Sequence, residues 1–277
     1  MMVNVGKFNS LKVLRKTEIG LFLDGGDEGD ILLPLRYVPE SCKVGSTVEV
    51  FIYFDSEDRI IATTEIPYAI VGEFAYLKVV SVNAVGAFLD WGLSKDVLVP
   101  FREQKLTMEE GKRYIVFIYI DAETNRIAAS AKLKQFLNHD PINYIPGDEV
   151  DLMIISQSEL GYKAVINNRH EGILYENEVF KKLKPGQKIK GYVRKVREDG
   201  KIDLRLQKDG YETVDQVKMS IMSILEEYGG SIDISDKSPA EEIYNIFGIS
   251  KKVFKKAIGS LYKSHLISLS DSGISSL

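Results

Sequence analysis

A single cysteine, Cys42, in 277 residues excludes an intramolecular disulfide and any zinc site built on cysteines, and it fits a reducing compartment. No run approaches the roughly 18 consecutive apolar residues that span a bilayer. The opening Met-Met-Val-Asn-Val-Gly-Lys also lacks the basic and apolar regions of a secretion signal. The sequence therefore reads as a soluble cytoplasmic protein with no membrane partner. Histidine is scarce as well: His139, His170 and His265 lie in three separate segments without an i, i+4 partner, and no Gly-x-x-x-x-Gly-Lys phosphate loop occurs. Acidic pairs are present but sit in turns, where local hydrogen bonding is their ordinary role. Neither catalysis nor a cofactor is expected. Excess positive charge is missing too, since the formal net charge is −4. That excludes a uniformly basic nucleic-acid coat but leaves local patches open.

What the chain does have is one pattern stated three times. Gly20-Leu-Phe-Leu-Asp24, Gly86-Ala-Phe-Leu-Asp90 and Gly161-Tyr-Lys-Ala-Val165 are each followed by a second glycine, Gly45, Gly111 and Gly186, at an offset of 25 residues in every case. Identical offsets point to one small folding unit that was copied. Each unit opens near a glycine (Gly6, Gly72, Gly147), runs through short apolar or β-branched stretches and closes on two longer runs joined by a turn. These closing pairs are Thr47 to Phe54 with Arg59 to Thr64, Tyr114 to Ile120 with Arg126 to Ala131, and Lys188 to Val196 with Lys201 to Leu206. Five short strands in about 65 residues describe a small closed barrel.

From Tyr211 the period changes from two to three and four. Val214, Val217, Ile221, Ile224 and Leu225 mark a helix ending near Gly229-Gly230, Ser238-Pro-Ala-Glu241 reads as a capping box, and Ser250 caps a helix whose Phe254, Ala257, Ile258 and Leu261 face inward. Two apolar runs around Asp271-Ser-Gly273 read as a hairpin. Three helices and a terminal hairpin predict a winged helix. The expected fold is mainly β, with domains at 1–66, 67–140, 141–209 and 210–277.

The order of Val-Gly, two strands, Gly-x-Phe-x-Asp, an apolar strand, a glycine turn and a long hairpin resembles the S1-type RNA-binding domain, an OB-fold barrel. Three such units ahead of a winged helix resemble the CvfB family of bacterial RNA-binding virulence regulators. In the S1 pattern two aromatics flank the glycine step, a histidine lies on the next strand, and an acid and a base border the hairpin loop. Carried over, the resemblance implies an RNA face with Phe22, Phe88 or Lys163 after the glycine. The position before the glycine is Ile19, Val85 or Leu160, so that aromatic is absent. Pro34, Pro100 and Tyr175 stand at the histidine position. The hairpin pairs are Asp55 with Arg59, Asp121 with Arg126, and Val196 with Lys201. No unit carries the full set.

Single-stranded nucleic acid needs flat faces for its bases and a cationic track for its phosphates. Net charge by domain is −4, 0, +2 and −2 in chain order, and ten basic residues stand against three acids between positions 181 and 205. Lys188, Lys190 and Arg194 share strand parity and are expected on one face, with Tyr175, Tyr162 and Lys163 as the stacking platform beside them. The blander reading is a solvated hairpin. Phe22 and Phe88 share parity with Asp24 and Asp90 and are expected outside, whereas Trp91 is expected to plug a barrel mouth.

The third helix of the last domain presents Lys251, Lys252, Lys255 and Lys256 outside its apolar stripe. Lysines suit phosphate contact, but base readout favours Arg, Asn or Gln, and the last domain has no arginine. The sequence thus predicts a protein that holds single-stranded RNA, mainly through its third unit and winged helix, and regulates gene expression after transcription. The alternatives are a DNA-binding winged-helix regulator whose barrels dock protein, and a ribosome-associated factor docking through its acidic first unit.

Overall fold

The computed structural model describes residues 3–176, 179, 182–206 and 214–277, with side chains from 217 onward in the first helix; Lys181 and the side chain of Val214 therefore lie outside the described residues. Three closed five-stranded barrels come first. The first contains β1 (Phe8–Thr17), β2 (Gly20–Asp24), β3 (Asp30–Pro34), β4 (Thr47–Phe54) and β5 (Ile60–Thr63). The second contains β6 (Phe74–Val82), β7 (Gly86–Asp90), β8 (Val97–Pro100), β9 (Arg113–Ile120) and β10 (Ile127–Ser130). The third contains β11 (Glu149–Ser158), β12 (Gly161–Ile166), β13 (His170–Tyr175), β14 (Lys188–Val196) and β15 (Ile202–Arg205). All three share one topology: an antiparallel meander of three strands, then a hairpin whose second strand closes in parallel on the third.

The repeated glycines have a steric cause. Gly20, Gly86 and Gly161 begin β2, β7 and β12 at φ of 150°, 153° and 135°. A Cβ there would stand 2.1, 2.3 and 2.1 Å from the carbonyl oxygens of Leu33, Val99 and Leu174 on the neighbouring strand. Only glycine lets the two backbones approach so closely. The second glycine of each unit closes a turn at positive φ, and its N–H donates to Val13 O, Val79 O or Ile154 O at 2.8, 2.9 and 2.8 Å. Those acceptors sit at the bulges in β1, β6 and β11, between Val13 and Arg15, Val79 and Ser81, and Ile154 and Ser156. The fixed offset of 25 residues is thus the distance from a strand crossing to the turn that clips a bulge.

The first two barrels are joined by a packed seam. On β4, Val48, Val50 and Ile52 point into the first barrel, while Phe51 and Tyr53 point out of it yet are buried. Phe51 meets Trp91 edge-on with ring centroids 5.7 Å apart, and Phe8 covers it from its own barrel at 5.4 Å. Tyr53 OH lies 3.2 Å from Ser94 Oγ, and burial pushes its pKa up. Lys95 Nζ donates to Asp55 O at 2.5 Å, and Val71 N donates to Gly6 O at 3.0 Å. Trp91 is therefore a seam residue rather than the expected barrel-mouth plug. Its indole N–H donates to Lys95 O at 2.7 Å.

The C-terminal domain has α1 (Val214–Glu227), β16 (Ser231–Ile232), α2 (Ala240–Phe247), α3 (Lys251–Lys263), β17 (Ile267–Leu269) and β18 (Ile274–Ser276). Phe254, Ala257, Ile258 and Leu261 bury the inner stripe of α3 against Val217, Ile221 and Leu225 of α1. Ser250 caps α3 by accepting from Val253 N at 3.3 Å. The expected capping box at Ser238 does not form, because Ser238 Oγ accepts from Ser235 N at 3.0 Å and α2 starts without a side-chain cap. Among the described residues no helix is long and apolar enough to cross a membrane.

Candidate nucleic-acid interface

The outer faces of β2, β7 and β12 set the comparison between barrels. Phe22 and Phe88 are half-buried on the outward side, flanked by buried Leu21 and Leu23 or Ala87 and Leu89. Phe22 is not bare, since the Arg15 guanidinium lies 3.6 Å from its ring centroid and is itself held by Asp30 at 3.1 Å. Ile19, Val85 and Leu160, the residues before the repeated glycines, are 61%, 55% and 66% exposed. Each barrel thus offers an aliphatic tip where the S1 pattern places an aromatic.

The hairpin pairs are rearranged. Asp55 and Arg59 do pair, at 2.7 Å, and Glu57 also holds Arg59 at 2.8 Å. Asp121 and Arg126 do not form a pair. Asp121 is bound by Arg102 at 2.8 Å, whereas Arg126 reaches Asp58 of the first barrel at 2.6 Å. Backbone N–H groups of Thr124 and Glu123, with Arg102, hold the Asp121 carboxyl below its ordinary range. In the third barrel Lys201 pairs with Asp199 at 2.7 Å. The more central acid and base there are Asp203 and Arg197, 2.9 Å apart, with Asp203 nearly buried.

Tyr175 is drawn into that pair. Its hydroxyl accepts from Arg197 and donates to Asp203 at 3.4 Å, and the guanidinium lies 5.9 Å from its ring centroid. Lys163 lies on the adjoining strand, paired with Glu171 at 3.1 Å. Tyr162 is a correction: it is 5% exposed and belongs to the barrel core, because the residue after Gly161 points inward opposite Leu174. It cannot offer a ring to a base.

Lys188, Lys190 and Arg194 are exposed along the outward side of β14, with Tyr192 on the same parity. Lys190 is paired with Asp151 at 2.8 Å and Glu149 at 3.6 Å, and these acids hold its ammonium pKa up. Lys188 stands opposite Met153 on β11, while Tyr175 is level, through Gly161, with Ser158. Five strand positions separate those levels, roughly 17 Å at about 3.3 Å each. The other end of the row is nearer: through β15, Leu174 pairs with Leu204 and Arg205 with Tyr192, so the Tyr192–Arg194 end lies about two strand spacings, roughly 10 Å, from the Tyr175 level.

Sequence reasoning missed a cleft of about 710 Å³ at the Lys188 end, lined by Asn167, Asn168, Arg169, Tyr144 and His170 among others. His170 is 2% exposed, held between Tyr144 OH at 3.2 Å and Asp140 O at 3.0 Å. Asn167 and Asn168 both have positive φ and form the centre of a turn closed by Arg169 N donating to Ile166 O at 2.9 Å, in a three-residue connection between β12 and β13. The Asn-Asn dipeptide between two apolar runs was the available signal.

On α3, Lys252 and Lys256 are exposed. Lys251 instead turns back to donate to Ser238 O at 2.7 Å and Lys237 O at 3.3 Å, and Lys255 lies 3.4 Å from Asp236. Two of the four lysines thus have local work in holding the loop before α2.

A model of the S1 domain matches residues 5–65 and 71–132, and a model described as a CvfB-like winged helix domain matches residues 219–275. The chain thus joins S1 domains to a CvfB-like winged helix. The matched families are nucleic-acid-binding domains rather than enzymes. The S1 match leaves out the third barrel of this chain, which shares the topology but lacks the Gly-x-Phe-x-Asp signature. Curated relatives include an uncharacterized protein, YitL, of Bacillus subtilis, 29% identical over 272 residues that cover 94% of this chain and 89% of the relative. Conserved virulence factor B of Staphylococcus saprophyticus is 26% identical over 245 residues, covering 83% and 79%. A solved multidomain protein with nucleic acid binding domains from Streptococcus pneumoniae covers 99% of this chain and 98% of its own at 23% identity, with a TM-score of 0.43.

Proposed function

We propose that this chain holds single-stranded RNA without cutting it and regulates bacterial gene expression after transcription. The third barrel and the winged helix form the main track. The first two barrels are chiefly scaffold, or the contact for the ribosome or another protein. One observation carries this reading: the outward row of Lys188, Lys190 and Arg194 around Tyr192 on β14. Exposed ion pairs such as that of Lys190 with Asp151 are worth only about 0–1 kcal/mol, so a phosphate displaces them at little cost. An OB fold engages roughly 4–16 nucleotides, enough for one strand to touch both this row and Tyr175. Exposed Lys252 and Lys256 on α3 suit the backbone of the same strand. The staphylococcal relatives carry the name conserved virulence factor B, which fits a contribution to virulence.

The test compares a single-stranded RNA and a duplex DNA on the full chain across salt, then repeats both on Lys188→Ala/Lys190→Ala/Arg194→Ala. RNA is expected to bind better. Its log–log salt slope should shrink by about 2, at roughly 0.7 for each phosphate of a single strand that is no longer neutralised. Preference for the duplex would instead favour a DNA-binding regulator led by the winged helix, and an unchanged slope would remove the third barrel from the track.

A further inference from the structure

The cleft of about 710 Å³ at the turn between β12 and β13 falls within the size range of small-molecule sites. It lies away from the positions that the S1 pattern assigns to RNA. Tyr175 is level with Gly161 at one end of β12, whereas His170, in the cleft wall, is level with Ile166 at the other, five strand positions and roughly 17 Å away. A shortened loop leaves the space. The corresponding connection of the second barrel, between β7 and β8, has six residues, 91–96, and carries Trp91 into the seam. Here three residues, 167–169, join the strands.

The walls are held in place without a ligand. His170 ties down the segment ahead of β11 through Tyr144 OH and Asp140 O. The Asn167 side chain accepts from Asp151 N at 2.9 Å and donates to Tyr144 OH at 3.4 Å. Met153 and Val165 are paired across β11 and β12, are buried although outside the core of the barrel, and floor the cleft. A site arranged in advance spends less on ordering when it binds.

The groups left over are donors. Among the described residues Lys188 meets no acid and the Asn143 amide makes no hydrogen bond. Two carboxylates also line the cleft, but each has a cation: Asp151 meets Lys190 at 2.8 Å, and Asp140 meets Arg169 at 3.4 Å. The second pair is long and largely exposed, a kind that contributes little, so Arg169 can turn its fork to a guest. Lys188 stands two strand spacings, roughly 10 Å, from Val165 through Met153, a gap that the long side chains of Lys188 and Arg169 can close on one oxyanion. A guanidinium fork beside an ammonium suits phosphate. A bare phosphate would leave most of the volume empty, whereas the Asn143 amide, donor and acceptor at once, suits a hydroxyl.

We infer that this cleft binds a small phosphorylated polyol of sugar-phosphate type, with its phosphate between Lys188 and Arg169 and a hydroxyl on the Asn143 amide. The site goes beyond the proposed RNA track and does not rest on it, since Lys188 is the one residue they share.

The full chain is titrated calorimetrically with ribose 5-phosphate and glucose 6-phosphate, with ribose and glucose, and with inorganic phosphate. At least one sugar phosphate is expected to bind saturably and more tightly than inorganic phosphate or the free sugars. Arg169→Ala should weaken that binding at least tenfold, about 1.4 kcal/mol, and Asn143→Ala at least threefold, with thermal melts to verify that both variants fold. Isotope-labelled histidine gives a local readout. The His170 ring resonance should move with the sugar phosphate, whereas those of exposed His139 and His265, identified through His139→Gln and His265→Gln, should stay. RNA affinity of the Arg169→Ala and Asn143→Ala chains should equal that of the wild type, so failure of this site and failure of the RNA track are read separately. No saturable binding of either sugar phosphate, equal affinity for inorganic phosphate or the free sugars, unchanged affinity in both variants, or an unmoved His170 resonance would overturn the inference. A parallel loss of RNA affinity in both variants would assign the cleft to the RNA strand and overturn it as well.

Discussion

Phe51→Ala should loosen the first two barrels from each other more than it damages either one. The ring is fully buried, but its neighbours are Phe8, Tyr53 and Trp91 rather than the interior of its own barrel. Truncating a buried phenylalanine typically costs about 3–5 kcal/mol, and two edge-on aromatic partners place this one toward the upper part of that range. At roughly 2–4 °C per kcal/mol for a cooperative unit of this size, the melting point of the paired barrels should fall by roughly 10 °C or more. The assay is urea unfolding followed by Trp91 fluorescence and by far-ultraviolet circular dichroism. Trp91 should become hydrated in the variant and report a lower midpoint, while Ile52→Val, one residue along but inside the first barrel, should cost only about 0.5–1.5 kcal/mol. A loss under about 1 kcal/mol for Phe51→Ala would refute the claim that this ring holds the seam.

Gly86→Ala would place a methyl 2.3 Å from Val99 O at φ 153°, and should cost at least about 1 kcal/mol by denaturant midpoint. Tyr162→Ala should cost about 3–5 kcal/mol as a core truncation, whereas Tyr162→Phe should leave RNA affinity unchanged in a filter-binding or anisotropy assay. For Asp121, whose folded pKa is depressed, the stabilisation is fully present above the ordinary carboxylate range near 3.9 and is lost as pH falls through the lower folded value. Asp121→Asn should therefore flatten the acid limb of the stability curve, as measured by melting between about pH 5 and pH 2. Lys251→Ala should lower stability of the C-terminal domain by about 1 kcal/mol by removing the bonds to Ser238 O and Lys237 O, with a smaller effect on nucleic-acid affinity than Lys252→Ala.

The barrels were legible because their constraints are local. A glycine under a neighbouring carbonyl and a glycine closing a turn leave a fixed spacing in the chain, and paired strands leave alternation. The buried stripe of α3 was legible for the same reason. The seam was not, because Phe51 and Tyr53 carry outward parity and only the second barrel buries them. Aromatics on the solvent side of an otherwise alternating strand were the trace it left. The first hairpin pair, Asp55 with Arg59, was legible from sequence proximity, but the second misled because Arg126 and Arg102 reach across to acids on other elements. Tyr162 misled because the inward or outward sense of β12 is set by the crossing at Gly161. Arg197 escaped notice since its partners, Tyr175 and Asp203, come from two other strands.

The seam also sets an order of events during synthesis. The first barrel can close once its own strands have emerged, but the flank formed by Phe8, Phe51 and Tyr53 then stays wet until Trp91 has been made. The 28 residues from the end of β5 at Thr63 to Trp91 take roughly 1–6 s at about 5–20 residues per second. For that interval a nascent chain displays an adhesive aromatic strip that the finished protein hides, and a pause in translation between the two barrels would lengthen it.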